Sequence, residues 1–280
     1  MTMGVKVLSK RGDPNISALI LLLISLVLSL TLLPVCSRYN TAPKLVVFAA
    51  AGGRSAIDEI CHKFKEQHRI KIETSYGGGG EILSKMILAR SGDIYIAPEQ
   101  RLMETAKEKK AIYPTTIKNI AYMVPVIAVK KGNPKQIISL ADLAKRHIRL
   151  AVTRPETTLL GKYAPEIFQK TGLGEAITKN IRTYASDPNN LLTMLIIGQI
   201  DAGIIWHFYQ TLAPDKIETI FLSPEQLTGI GVMQIAVSAY SRDNKLAQQF
   251  IDFTTSSEGK AIFKRYGYLV EAEEVKRYWK

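Results

Sequence analysis

The sequence predicts an α/β fold of two lobes, each a mainly parallel sheet flanked by helices, on three observations. After residue 44, short apolar runs alternate with helical periodicity, the pattern of strands joined by crossover helices. Two strand-like runs, 122–130 and 234–240, are longer than ordinary strands and flank a segment that reads as an α/β unit of its own, as crossings between two lobes would. Within forty residues the chain twice repeats a strand, a glycine turn and a helix.

Each element has a local reason. Residues 45–50 are a continuous apolar run, hence a buried strand; Gly52 and Gly53 turn the chain, and a helical pattern follows at 55–68. Residues 70–76 alternate as a strand, four glycines fill 77–80, and a second helix runs from Glu81 to residue 90. Further strands are expected at 93–96, 122–130, 148–152, 181–184, 202–206 and 233–240. Further helices are expected at 99–110, 139–145, 161–171, 189–198, 224–228, 244–254 and 256–266. The crossings divide the chain into lobe I, residues 45–125 and 238–280, and lobe II, residues 126–237. They act as a hinge, and a cleft between lobes is a common place for a ligand.

Residues 1–36 differ in kind from the rest. Lys6, Lys10 and Arg11 precede an apolar stretch from Ala18 to Val35, which reads as an export signal or membrane anchor. Leu33-Pro34-Val35-Cys36 is similar to a lipoprotein box, with Cys36 as the lipidated residue, although Pro34 and Val35 match it poorly. The same stretch is about long enough to stay as an uncleaved spanning helix. Either outcome tethers the remainder to a membrane, on its extracytoplasmic face.

Of 280 residues, 46% are apolar and 22% charged, a composition that supports a real core. The net charge is +12; the leader supplies +2 of it, leaving +10 for residues 37–280. A basic surface attracts anions, but lysines and arginines are spread along the chain and not bunched with aromatics, which argues against nucleic acid. Cys61, on the buried side of the first helix, is expected to pack in the core. With His62, His68, His147 and His207 it forms no metal-ligand spacing. No Gly-x-Ser-x-Gly elbow occurs, and His207 reads as a structural histidine, so the chain reads as a binder without catalytic residues or cofactor and not as an enzyme.

The glycine loops carry the chemistry. A bare loop at a helix start lets its amides and the helix's first N–H groups point at an anion. No Gly-Lys-Ser/Thr follows Gly80, and no third glycine completes a dinucleotide fingerprint. What remains is a backbone-amide site for something small.

Ordered motifs across 45–270 carry a family resemblance. They are Phe48-Ala49-Ala50-Ala51, Tyr76 with its four glycines, Gly92-Asp93-Ile94-Tyr95, Lys131-Gly132-Asn133-Pro134, Thr153-Arg154-Pro155-Glu156, Gly198-Gln199-Ile200-Asp201 and Ser257-Glu258-Gly259. Together they resemble the extracellular solute-binding proteins of ABC importers, within these the molybdate/tungstate-binding group, with a type II periplasmic-binding-protein fold. The resemblance implies a monomeric receptor that captures a small oxyanion between its lobes and presents it to a membrane permease. It places ligand contacts at Gly52, Gly53, Gly79, Gly80, Leu160, Asn189 (by its amide) and Trp206. The family carries serines where this chain has Gly52 and, nearly, Gly79, and a tyrosine where it has Trp206. Phosphate, sulfate or a carboxylate are therefore alternative ligands, and a non-transport sensor or envelope protein is an alternative role. Arg54 either reaches the anion or lies on the surface of its helix; Glu81 is read as a helix cap that would repel an anion if it faced the cleft.

Overall fold

A computed structural model describes residues 43–279. The leader, with Cys36, lies outside the described residues. Among those described, no helix is long and apolar enough to cross a membrane.

Among the described residues, ten strands form two five-stranded sheets. The first contains β1 (Lys44–Ala50), β2 (Lys71–Gly77), β3 (Ile94–Ala97), β4 (Lys118–Met123) and β10 (Gly231–Val237), in the order β2-β1-β3-β10-β4. The second contains β5 (Pro125–Lys130), β6 (Leu150–Thr153), β7 (Ile181–Ala185), β8 (Ala202–Trp206) and β9 (Ile217–Phe221), in the order β7-β6-β8-β5-β9. Each sheet has three parallel strands at one side and an antiparallel strand beside them: β10 against β3, and β5 against β8.

The parallel strands are joined through helices that cover the sheets. In the first sheet α1 (Arg54–His68) follows β1, α2 (Gly79–Ala89) follows β2 and α3 (Gln100–Glu108) follows β3. In the second, α4 (Leu159–Lys170) and the short α5 (Gly174–Thr178) follow β6, α6 (Pro188–Ile196) follows β7 and α7 (Tyr209–Leu212) follows β8. Helices α8 (Asn244–Thr255), α9 (Ser257–Arg265) and α10 (Ala272–Val275) end the described chain.

The amphipathic spacing of α1 accounts for its packing: Ala56, Ile57, Ile60, Cys61 and Phe64 recur on one face and are all buried. Phe64 meets Phe250 of α8 edge-on at 5.2 Å. Burying one such ring stabilises the fold by about 1.5–3 kcal/mol. Burial, with the charge of Asp58 beside it, pushes the Cys61 thiol up to about 12, so it packs as an inert apolar group. Asp93 is the buried tie of the first sheet. Its Oδ2 accepts from Val46 N–H at 2.8 Å, and its Oδ1 accepts from the Ser241 hydroxyl at 2.8 Å and Arg242 N–H at 3.0 Å.

The structure departs from the sequence reading at the crossings. The run 122–130 is two strands, β4 and β5, in different sheets. They part at Val124, whose N–H donates to His207 Nδ1 at 3.0 Å and whose carbonyl accepts from His207 N–H at 2.9 Å. The expected helix at 224–228 does not form. Gln226 folds back so that its Oε1 accepts from Ser223 N–H at 2.9 Å, and the carbonyl of Leu227 accepts from Lys170 Nζ. Strand β10, placed with lobe II by a boundary at 237, pairs instead with β3 and β4, because the chain returns to the first sheet before residue 231. The alternating Ile217-Glu218-Thr219-Ile220-Phe221, which the sequence reading leaves out, is β9.

Candidate ligand cleft

The parallel strands of both sheets end on one cleft of about 940 Å³, towards the upper end of small-molecule sites. The residues following β1, β2 and β3 line one wall, and those following β6, β7 and β8 line the other. Ligands of open α/β sheets bind at such carboxyl ends, where loops turn into helix N-termini.

On the first wall, residues Ala51–Gly53 form a single 3₁₀ turn ahead of α1, and the carbonyl of Gly52 accepts from the Tyr268 hydroxyl at 3.1 Å. Helix α2 begins two residues earlier than the sequence suggests, at Gly79, with Gly78 as its N-cap. Gly78 has no side chain to cap the helix, and its own N–H donates to Glu81 Oε2 at 3.1 Å. The first helical N–H groups, those of Gly79 and Gly80, lie ahead of the α-helical ladder.

The glycines are not equivalent. A Cβ on Gly79 would lie 2.5 Å from Leu102 Cδ1 and 2.8 Å from Pro98 Cγ, so this loop is packed directly on the start of α3. A Cβ on Gly52 or Gly80 would meet nothing within 4 Å. The serine that the resemblance puts near 79 therefore has no room at 79, whereas one at 52 would fit.

On the second wall the helix starts carry side-chain caps. Thr158 Oγ1 accepts from Gly161 N–H at 2.9 Å, leaving the N–H groups of Leu159 and Leu160 ahead of the ladder of α4. Asp187 Oδ1 accepts from Asn189 N–H at 2.8 Å and Asn190 N–H at 3.0 Å. The amide expected to reach a ligand from Asn189 is thus taken by its own helix cap. Asn189 still lines the cleft, with Oδ1 accepting from the Tyr209 hydroxyl at 3.0 Å. Asp187 and Thr158 were readable as N-caps ahead of Pro188 and Leu159; nothing in the pattern pointed to Tyr209.

Gly52, Gly53, Gly79, Gly80, Leu160, Asn189 and Trp206 all line the cleft, and so does Glu81. Trp206 ends β8, is 7% exposed, and sets its ring at right angles to Tyr163, 6.5 Å between centroids. Arg54 is not among the lining residues: its guanidinium stacks over Tyr76, 4.3 Å from the ring centroid. The lining cation is Arg101, which the sequence did not single out; its Nη2 donates to Glu99 Oε1 at 2.8 Å. The lining carboxylates are Glu81, Glu99, Glu156 and Asp187.

His207 sits at the join between the walls. With Nδ1 accepting from Val124, the neutral ring carries its proton on Nε2. Burial drives its pKa down to about 4, so the ring is neutral at pH 7. Its role here is structural, holding the crossing peptide.

Residues 45–269 match the family model described as bacterial extracellular solute-binding protein. A binding protein of Haemophilus influenzae is 28% identical over 231 residues, covering 81% of this chain and 91% of that one. The molybdate-binding protein ModA of Mycobacterium tuberculosis is 27% identical over 230 residues, covering 81% of this chain and 85% of that one. Among solved structures, the periplasmic molybdate-binding protein of Azotobacter vinelandii superposes with a TM-score of 0.69 at 17% identity, over 82% of this chain and 99% of that one. Two sheets joined by two crossings, with parallel-strand ends meeting at one cleft, are thus the architecture of a known group: this chain belongs to the bacterial extracellular solute-binding proteins.

Proposed function

We propose that this protein is the extracytoplasmic receptor of an ABC importer and captures a small oxyanion in the cleft between its sheets. The observation that carries the reading is the pair of helix starts facing that cleft. The N–H groups of Gly79 and Gly80 on one wall, and of Leu159 and Leu160 on the other, lie ahead of their helical ladders. Such groups bear the positive end of the helix dipole, and closing the walls on an anion would satisfy donors from both at once. The molybdate-binding relatives support the oxyanion class.

On this reading lobe I carries the glycine walls and the C-terminal helices, lobe II carries α4 to α7, and the crossings at Val124 and at 222–230 act as the hinge. The closed monomer then presents itself to a membrane permease, held at the membrane by its N-terminal segment. Titration calorimetry of residues 37–280 against molybdate, tungstate, sulfate, phosphate and small carboxylates tests it. Saturable heat with at least one anion is expected; no heat and no thermal shift with any of them contradicts the reading.

A further inference from the structure

We propose that Arg101, steadied by the buried carboxylate of Glu99, is the anion-binding cation of the cleft and selects an anion carried on an organic body over a bare tetrahedral oxyanion. The inference rests on the anion-receptor reading and narrows its ligand class.

Three observations lead there. First, Arg101 is the one basic side chain among the described residues lining the cleft, and it stands beside the glycine cradle. Gly79 fits against Pro98 and Leu102, the residues that bracket Glu99 and Arg101. Second, the pair is asymmetric: the Glu99 side chain is 8% exposed and that of Arg101 58%. A buried carboxylate holding a single Nη2 fixes the guanidinium plane and leaves its other N–H groups for a ligand, and a fixed fork suits a two-oxygen face of a carboxylate or phosphate.

Third, the rest of the cleft does not suit a small dense dianion. Glu81, Glu156 and Asp187 also line it, and a bare divalent oxyanion would bring its whole charge among them. Met123, Met233, Trp206 and Phe208 supply apolar lining that a bare ion cannot use. Gly52 and Gly80 leave space where side chains would otherwise project. A head group on Arg101 and the Gly79–Gly80 amides, met across the cleft by the amides of Leu159 and Leu160, with a carbon body against Trp206 and the methionines, uses all of these features.

The test is calorimetry of wild type, Arg101→Gln and Arg54→Gln with inorganic phosphate, sulfate and molybdate against glycerol 3-phosphate and phosphoglycolate. The expected result is that an organic phosphate binds wild type at least tenfold more tightly than any bare anion. Arg101→Gln should lose at least tenfold for that ligand, and Arg54→Gln, whose guanidinium lies over Tyr76, should stay within twofold of wild type. Bare anions binding as tightly as the organic ones, or an Arg101→Gln affinity equal to wild type, would overturn the inference while leaving an anion receptor in place. Binding of none of the five probes would overturn the inference, and the anion-receptor reading falls with it if tungstate and small carboxylates also give no heat. Thermal unfolding of Arg101→Gln separates lost binding from lost folding: some loss of stability is expected, because the buried Glu99 carboxylate loses its charged partner, but a cooperative transition well above the assay temperature shows that the variant is folded.

Discussion

On the first wall of the cleft, α2 starts on glycines and its opening N–H groups have no side-chain cap, whereas on the second wall Thr158 and Asp187 cap α4 and α6 with their own oxygens. The sheets behind the walls share one strand scheme, so the difference does not come from topology. It comes from what stands at the N-cap. A glycine N-cap costs only a few tenths of a kcal/mol relative to a side-chain cap, and it leaves backbone donors for a ligand. An aspartate cap stabilises the helix but spends those donors and places a negative charge in the cleft. The first wall is therefore the better anion cradle, and the second is the more rigid frame.

Breaking the first wall should have the largest effect. Gly80→Asp adds a carboxylate where a Cβ meets nothing within 4 Å. Like charges about 4 Å apart near a surface repel by about 4 kcal/mol, so calorimetry should record about a thousandfold loss of anion affinity with thermal stability little changed. Retained affinity would remove the glycine loop from the site. Gly79→Asp is a poorer test, because its Cβ would collide with Leu102 and Pro98.

Next in size is the join that both walls share. His207 has a native pKa near 4, below its unfolded 6.5, so the unfolded chain takes up the extra proton. Its contribution to stability is complete above pH 6.5 and is lost as pH falls towards 4, by about 3 kcal/mol. Denaturant unfolding between pH 7 and pH 4 should show this decline, and His207→Gln should flatten it by about that amount. An equal slope in the variant would contradict the assignment.

Packing against the first wall comes third. Gly79→Ala should destabilise the protein by about 1–3 kcal/mol through overpacking against Leu102 and Pro98. Gly52→Ala, with open space at its Cβ, should be close to neutral by thermal unfolding. Equal effects would mean that the two loops are packed alike.

The smallest effect sharpens the contrast from the second wall. Asp187→Asn keeps a good N-cap and removes one cleft charge. Stability should stay within about 1 kcal/mol, while anion affinity should rise by about three- to tenfold at low salt and by less at high salt. Unchanged affinity at every salt concentration would show that Asp187 is too well neutralised by α6 to be felt by a ligand.

Much of this was legible in the chain, for identifiable reasons. Apolar runs such as 45–50 are buried on both faces, and glycine turns mark where they end, so the alternation of strands and helices could be read locally. The crossing at Val124 could not, because nothing in 122–130 announces that a histidine eighty residues away will take its peptide groups. At 224–228 the expected helix gives way to a turn in which Gln226 N–H donates to the Ser223 carbonyl and Gln226 Oε1 accepts from Ser223 N–H. In the cleft, the glycines announced themselves through their lack of side chains. Arg101 did not, because an arginine on the first turn of an amphipathic helix looks like any solvated residue until the fold sets Glu99 beneath it and the glycine loop beside it.

On the proposed function, an anion is gripped between backbone amides of the two walls. The most direct measurement is a crystal structure of the protein with an anion that binds in calorimetry. Anion oxygens should lie within about 3.2 Å of the N–H groups of Gly79 or Gly80 and of Leu159 or Leu160. An anion seated away from both helix starts, or held by one wall with the cleft closed around it, would contradict a two-walled grip.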